Sequence, residues 1–162
     1  MNYNWNILYK EEEMKVEQGG FQFDYCLTYK RTEKIDNWFL PFEDLEKIAI
    51  INDIYQTGPI FFSIKEVAGE KQYREFKYYL PINEQVEVET EQDLFGCESV
   101  KVEYALKTRD IGNVNLQDMQ EEMLNYANEN QLETESELYC VFLDVYNDII
   151  FDFYAPLRNE VK

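Results

Sequence analysis

Two stretches of this chain end in the same way. Residues 76–82 read Phe-Lys-Tyr-Tyr-Leu-Pro-Ile and residues 151–157 read Phe-Asp-Phe-Tyr-Ala-Pro-Leu. Superposing Pro81 on Pro156, an offset of 75 residues in a chain of 162, brings Phe76, Tyr78 and Leu80 onto Phe151, Phe153 and Ala155. In a strand those positions share one face, and Lys77 with Tyr79, matched by Asp152 with Tyr154, share the other. The same offset carries Tyr25, Leu27 and Tyr29 onto Val100, Val102 and Tyr104. Recurrence at one offset near half the chain length predicts a duplicated unit.

The elements between these anchors repeat as well. Residues 21–30 alternate Phe21, Phe23, Tyr25, Leu27 and Tyr29 with polar positions, the signature of a strand buried on one side. Residues 36–55 read as helix, with Pro41 confined to the first turn, so that regular helix begins near Leu40. Ile48 to Ile51 are apolar enough to predict deep burial, and Thr57-Gly58-Pro59 is a stop signal. Strands are expected over 60–67 and 73–82, joined by a hairpin containing Gly69. The second half gives a strand over 99–108, a loop over 109–114 and a helix over 116–130 capped by Asn115. It closes with a hairpin of 138–146 and 148–156 turned at Asn147-Asp148. Each half is therefore β-α-β-β. The reading places an N-terminal extension at 1–20 and one α+β domain at 21–157. Its halves are 21–82 and 99–157, joined by an acidic connector at 83–98, and a tail follows at 158–162. One antiparallel sheet with both helices on one face is expected.

Charge narrows the function. Thirty-three acidic residues against fifteen basic ones leave a net charge of −18, with no histidine. Nucleic acid and anionic lipid are disfavoured, because their phosphates require basic residues; a cationic partner, protein or small molecule, is favoured. Lack of histidine removes Ser-His-Asp and Cys-His catalysis and the commonest zinc ligand. Cys26, Cys97 and Cys140 have no CxxC spacing and cannot all pair, which suits a reduced, cytoplasmic protein. Neither a secretory leader nor a membrane span is expected.

Two β-α-β-β halves making one domain resemble the GyrI-like fold, the effector-binding domain of drug-sensing transcription regulators. The resemblance is strongest at Asp152-Phe153-Tyr154-Ala155-Pro156-Leu157, which is similar to the family's acidic-x-Tyr-x-Pro-aliphatic ending, although Glu is the commoner acid there. At finer grain, Thr57-Gly58-Pro59-Ile60-Phe61-Phe62-Ser63-Ile64 resembles a segment of a small Gram-positive family, some of whose members are encoded near LXG toxins of type VII secretion. These resemblances imply two binding functions. One is an accessory factor (chaperone, adaptor or immunity type) for a basic protein such as a toxin. The alternative is a sensor of amphipathic cations in a groove between the halves.

For the groove, Asp152 and Tyr154 are the expected centre, since a carboxylate beside aromatic rings attracts a delocalised cation. Tyr79, Tyr139 and Trp38 are expected as walls, with Lys77 nearby; the competing reading pairs Lys77 with Asp152 on a solvated face. For protein docking, Glu84, Glu87, Glu89, Glu91 and Asp93 of the connector are expected, solvated charge being the alternative. Some GyrI-like proteins are hydrolases with a pocket Glu and Tyr, roles that Asp152 and Tyr154 match. No nucleophile–base pair, phosphate loop or metal cluster accompanies them, so neither catalysis nor a cofactor or metal is expected.

Overall fold

A computed structural model of the protein describes residues 15–87, 95–111 and 115–158. The first half contains β1 (Lys15–Lys34), a 3-10 turn (Ile35–Asn37), α1 (Pro41–Ile51), β2 (Phe61–Glu66) and β3 (Tyr73–Pro81). The second contains β4 (Phe95–Ile111), α2 (Leu116–Glu129), β5 (Leu138–Val145) and β6 (Asp148–Pro156). All ladders are antiparallel, in the order β1-β3-β2-β5-β6-β4, and β4 pairs back onto β1 to close a barrel. The architecture is the expected α+β duplication. The one antiparallel sheet expected is closed on itself, which removes the free strand edges that would otherwise invite pairing with another chain.

The duplication extends to individual hydrogen bonds. α1 ends at Asn52, whose backbone and side-chain N–H groups donate to the Ile48 carbonyl at 3.1 and 2.8 Å. α2 ends at Asn130, which donates to the Tyr126 carbonyl at the same two distances. The next residues, Asp53 (φ 53°) and Gln131 (φ 56°), are left-handed. The N–H groups of Ile54 and Leu132 then close onto Ala49 and Ala127, each at 2.8 Å. This is a Schellman ending made twice, which satisfies the last carbonyls of each helix. It stops α1 before Thr57-Gly58-Pro59, the expected stop, is reached. At the other ends, Pro41 occupies the first turn of α1, and the Asn115 side chain accepts from the Asp118 N–H, both as expected.

One apolar cluster holds both helices against the sheet. It contains Leu45 and Ala49 of α1 and Leu116, Met119, Met123 and Ala127 of α2, together with Phe76, Tyr78, Leu80, Phe151, Phe153 and Ala155. The alternation read from the two Pro-ending stretches is thus correct. The Tyr78 hydroxyl, buried here, donates to the Trp38 carbonyl, as a buried phenol requires. At the end of α1 the expectation fails: Ile48 is half-buried and Ala49 buried, but Ile50 and Ile51 are exposed. The helix packs by only one stripe, and residues adjacent in sequence turn away from it.

β1 departs most from the expectation. It starts at Lys15, so the strand runs straight across the expected boundary at residue 20. It also shifts register against β4 twice, between Gln18 and Phe21 and between Phe23 and Cys26. Each shift sets one extra β1 residue against β4, and one extra residue exchanges the faces of everything beyond it. Leu27 and Tyr29 therefore belong to the helix-side cluster, whereas Phe21, Phe23 and Cys26 belong to a second cluster on the opposite face. Tyr25, between them, is 39% exposed. The single-faced alternation from Phe21 to Tyr29 is corrected accordingly. Two smaller corrections concern the second half. β4 continues to Ile111, through the first half of the expected loop, and the closing hairpin turns at Tyr146-Asn147, since Val145 pairs with Asp148.

Candidate functional site

The second cluster lies on the strand face away from the helices. It consists of Cys26, Phe61, Tyr79, Val100, Val102, Ala105, Val141 and Tyr154, with Phe21, Phe23, Tyr139 and Leu143 packed on it. Its aromatic members come from both halves: Phe61 and Tyr79 from the first hairpin, Tyr139 and Tyr154 from the last. Strand register places Phe61 opposite both Tyr79 and Val141, and Tyr139 opposite Tyr154. The Phe61 and Tyr79 rings stack at 4.6 Å with 3° between planes. Three of the expected groove residues, Tyr79, Tyr139 and Tyr154, are thus brought together.

The space they enclose is filled by the chain itself. Phe21 sits edge-on to Phe61, Tyr139 and Tyr154, with ring centroids at 5.2, 5.5 and 5.0 Å. Phe23 stacks on Phe61 at 5.2 Å. These two rings reach the cluster because of the β1 register shifts. At the first of them Gly20 has φ +22°, and a Cβ there would lie 2.1 Å from the Val102 carbonyl oxygen. Only glycine tolerates such an approach. Side-chain hydrogen bonds join Ser63, Tyr79 and Tyr139. Burial raises the Tyr79 phenol pKa, with the neighbouring Tyr139 adding to it, and burial also raises that of Tyr139, helped by Glu137.

Asp152 is buried, and its carboxylate is already matched. Arg109 of β4, opposite it in the ladder, donates from Nε to Oδ1 at 2.6 Å and from Nη2 to Oδ2 at 2.9 Å. The alternative that paired Lys77 with Asp152 is therefore wrong. Lys77 forms its ion pair with Glu98 and lies 5.6 Å above the Tyr79 ring. Lys107 lies 5.5 Å above the Tyr154 ring. Basic groups of this chain thus occupy the positions a bound cation would take beside Asp152, Tyr79 and Tyr154.

Trp38 is not part of this face. It stacks on Phe62 at 5.4 Å and meets Phe42, Phe142 and Phe151 edge-on or tilted, all in the helix-side cluster. The residues that close the site, Arg109, Phe21 and Phe23, were not among those expected from sequence. Beside the filled face a cleft of about 620 Å³ opens between Lys101 to Tyr104, Glu135 to Tyr139 and Pro156 to Arg158. Four of its charges are engaged in pairs, Lys101 on Glu103 at 3.1 Å and Arg158 on Glu135 at 3.6 Å. Of the connector acids, Glu84 and Glu87 are exposed; Glu89, Glu91 and Asp93 lie outside the described residues. Among the described residues no group of three His, Cys, Asp or Glu side chains is placed to hold a metal, and no helix is long and apolar enough to cross a membrane.

The strand order, the paired helices and the cluster shared between halves define the GyrI-like α+β fold. The chain belongs to the family described as a domain of unknown function, DUF5085, whose model matches residues 25–157. Comparison with curated proteins gave no significant match. Among solved structures, the C-terminal domain of EcmrR superposes with a TM-score of 0.68 at 8% identity, covering 91% of this chain and 98% of that domain. EcmrR in its DNA complex gives 0.70 at 8% identity, and there the match covers 91% of this chain but 58% of the EcmrR chain. A hydrolase from Listeria innocua gives 0.53 at 9% identity, over 94% of this chain and 95% of that one. At such identities the likeness is one of fold.

Proposed function

We propose that the protein is a non-catalytic binding protein that captures a basic protein partner, as an accessory factor of the chaperone, adaptor or immunity type. The observation that carries this reading is the distribution of charge. Net charge is −18, and α2 carries Asp118, Glu121, Glu122 and Glu129 on its exposed side without a single Lys or Arg. Glu129 stands in the last turn, where the helix dipole disfavours an acid. Helix stability does not account for that placement, whereas a field that attracts cations does. The resemblance to a family with members encoded near LXG toxins suggests such a toxin as the partner. Glu84 and Glu87, with Glu89, Glu91 and Asp93, add to the same field.

The site offers little to an enzyme reading. Asp152 is engaged by Arg109, and the Cys140 thiol that feels its charge is buried and held protonated, which is the opposite of an activated nucleophile. The same ion pair weighs against the sensor of amphipathic cations, since a bound cation would have to displace both Arg109 and the Phe21 ring. The charge likewise weighs against nucleic acid; the DNA complex is a property of EcmrR, whose chain is longer than the part matched here.

The test is association with a basic protein recovered by pull-down from the native organism, followed in real time at low and high salt. Neutralising Glu87, Glu89 and Glu91 should slow association more than it speeds dissociation, and salt should do the same. Association that ignores both salt and the triple substitution would refute the electrostatic reading.

A further inference from the structure

We propose that the Trp38 to Pro41 turn and the tip of the β5–β6 hairpin together form a docking ridge for a basic amphipathic helix of the partner. The inference rests on the basic-partner reading above and assigns that partner a place and a shape.

Phe142 on β5 and Ile149 and Phe151 on β6 share the strand face that the helices cover, because Phe142 pairs with Phe151 and Asp144 with Ile149. Trp38 rests on Phe142 and Phe151 and carries Phe39 against its own edge. From this base apolar side chains project outward: Phe39 is 51%, Leu40 52% and Ile149 37% exposed. Exposed apolar groups carried on two segments that meet in one cluster, as these do through Trp38, Phe142 and Phe151, mark interaction surfaces more often than scattered ones do.

Tyr146 adds an independent observation. It is 92% exposed and sits at φ 51° at the first central position of the turn, with Asn147 at φ 69° beside it. A two-residue turn of that type favours Asn, Asp or Gly, and a bulky side chain there is strained. Neither burial nor turn geometry accounts for a tyrosine at the tip. An aromatic anchor inserted into a partner does.

The occupant follows from the rim. Asp36, Glu43 and Asp44 border the turn, and Asp144 and Asp148 flank the tip. Neither residues 35–46 nor residues 138–157 contain a Lys or Arg. A second copy of the chain would bring the same acids, and −18 of like charge, against this surface. Strand addition is excluded by closure of the barrel. A narrow apolar ridge rimmed by acids is the complement of a helix with one apolar stripe and lysines on either side.

The probe is a synthetic helical peptide of leucine and lysine with the leucines on one stripe, titrated calorimetrically into the full chain. Tyr146→Ser and Leu40→Ser should each weaken binding about tenfold. Ile50→Ser, at the far end of α1 and also exposed, should leave it unchanged. All three positions face solvent, so folding is preserved, and circular dichroism checks it. If the ridge variants bind like wild type while salt still weakens binding, the place is wrong and the basic-partner reading stands. If the peptide does not bind at all, both fail. The proposal also fails if a composition-matched peptide with scrambled order binds equally well. It fails too if the chain self-associates through Tyr146, as a dimer lost in Tyr146→Ser during sedimentation would reveal.

Discussion

Arg109 and Asp152 face each other across the β4–β6 ladder and join through two parallel hydrogen bonds, at 2.6 and 2.9 Å. The carboxylate side chain is 7% exposed and the guanidinium 32%. Removing the arginine strands a buried negative charge, so Arg109→Ala should cost about 3 kcal/mol in urea unfolding. The double variant Arg109→Met/Asp152→Leu should recover most of that loss. A single-variant cost near zero would mean that Asp152 is solvated rather than enclosed.

The same pair governs cation binding. Tetraphenylphosphonium, a delocalised cation, should show no saturable binding to the wild type, because Arg109 and Phe21 occupy the space beside Asp152. Combining Arg109→Met with Phe21→Ala frees the carboxylate and removes a ring from the tyrosine cluster, and a site should then appear by equilibrium dialysis. Binding to the wild type that Asp152→Asn abolishes would restore the sensor reading.

Phe153 and Tyr154 are adjacent and serve different clusters. Phe153 is fully buried beneath the helices, so Phe153→Ala should cost roughly 3–5 kcal/mol. Tyr154→Phe keeps the ring on Phe21 and loses only the hydroxyl, at about 1 kcal/mol. Equal losses in chemical denaturation would show that the two faces are not energetically distinct.

Stability should decline in alkali. Burial pushes the Cys26 thiol up to about 12, with Cys97 and Glu98 adding to the effect, and raises Cys140 and the phenols of Tyr78, Tyr79 and Tyr139. The folded state therefore holds these protons more tightly than the unfolded chain, whose thiols titrate near 9 and phenols near 10. Stability follows the state that binds more protons, so their contribution is intact below pH ~9 and is lost progressively above it. Urea midpoints measured from neutral pH to strong alkali should fall over that window. Ellman's reagent should meanwhile label Cys97 alone until the protein unfolds, since Cys26 and Cys140 are buried.

Gly20→Ala should destabilise by more than about 1 kcal/mol, because the left-handed φ and the nearby Val102 carbonyl leave no room for a methyl group. Gly69→Ala is the control: its φ of +80° carries the same backbone penalty, but nothing lies within 4 Å of the added carbon. Equal losses at the two sites would remove the steric part of the argument.

Much of this arrangement was legible from sequence because it depends on local periodicity. Phe76-Tyr78-Leu80 and Phe151-Phe153-Ala155 declare their face by alternation, Asn115 declares a cap, and Pro41 declares a first turn. The unread parts depend on register. Gly19-Gly20 looks like punctuation between segments but lies within a continuous strand, and the shift between Phe23 and Cys26 contains no glycine at all. Without those two shifts Phe21 and Phe23 are read onto the helix side, and whether side chains fill the groove stays undecided. Arg109 was missed for a similar reason: nothing near it in sequence signals Asp152, and only the β4–β6 ladder brings them together. Trp38 was misplaced because an aromatic residue in a turn gives no sign of the face it will cover.

Closure of the ring through β1 also bears on how the molecule is made. β1, the first of the described strands, pairs Cys26 with Pro81 and Lys15 with Lys107, so one of its partners ends the first half and the other opens the second. Until β4 emerges, β1 can zip only to β3, and its leading segment must wait without Tyr139 and Tyr154 to close over Phe21. Contacts so distant along the chain slow folding by deferring the reward for loop closure. Maturation of the nascent chain should accordingly proceed in two stages, with a hairpin-bearing first half that is loose by itself and a late, cooperative latching once both helices are present.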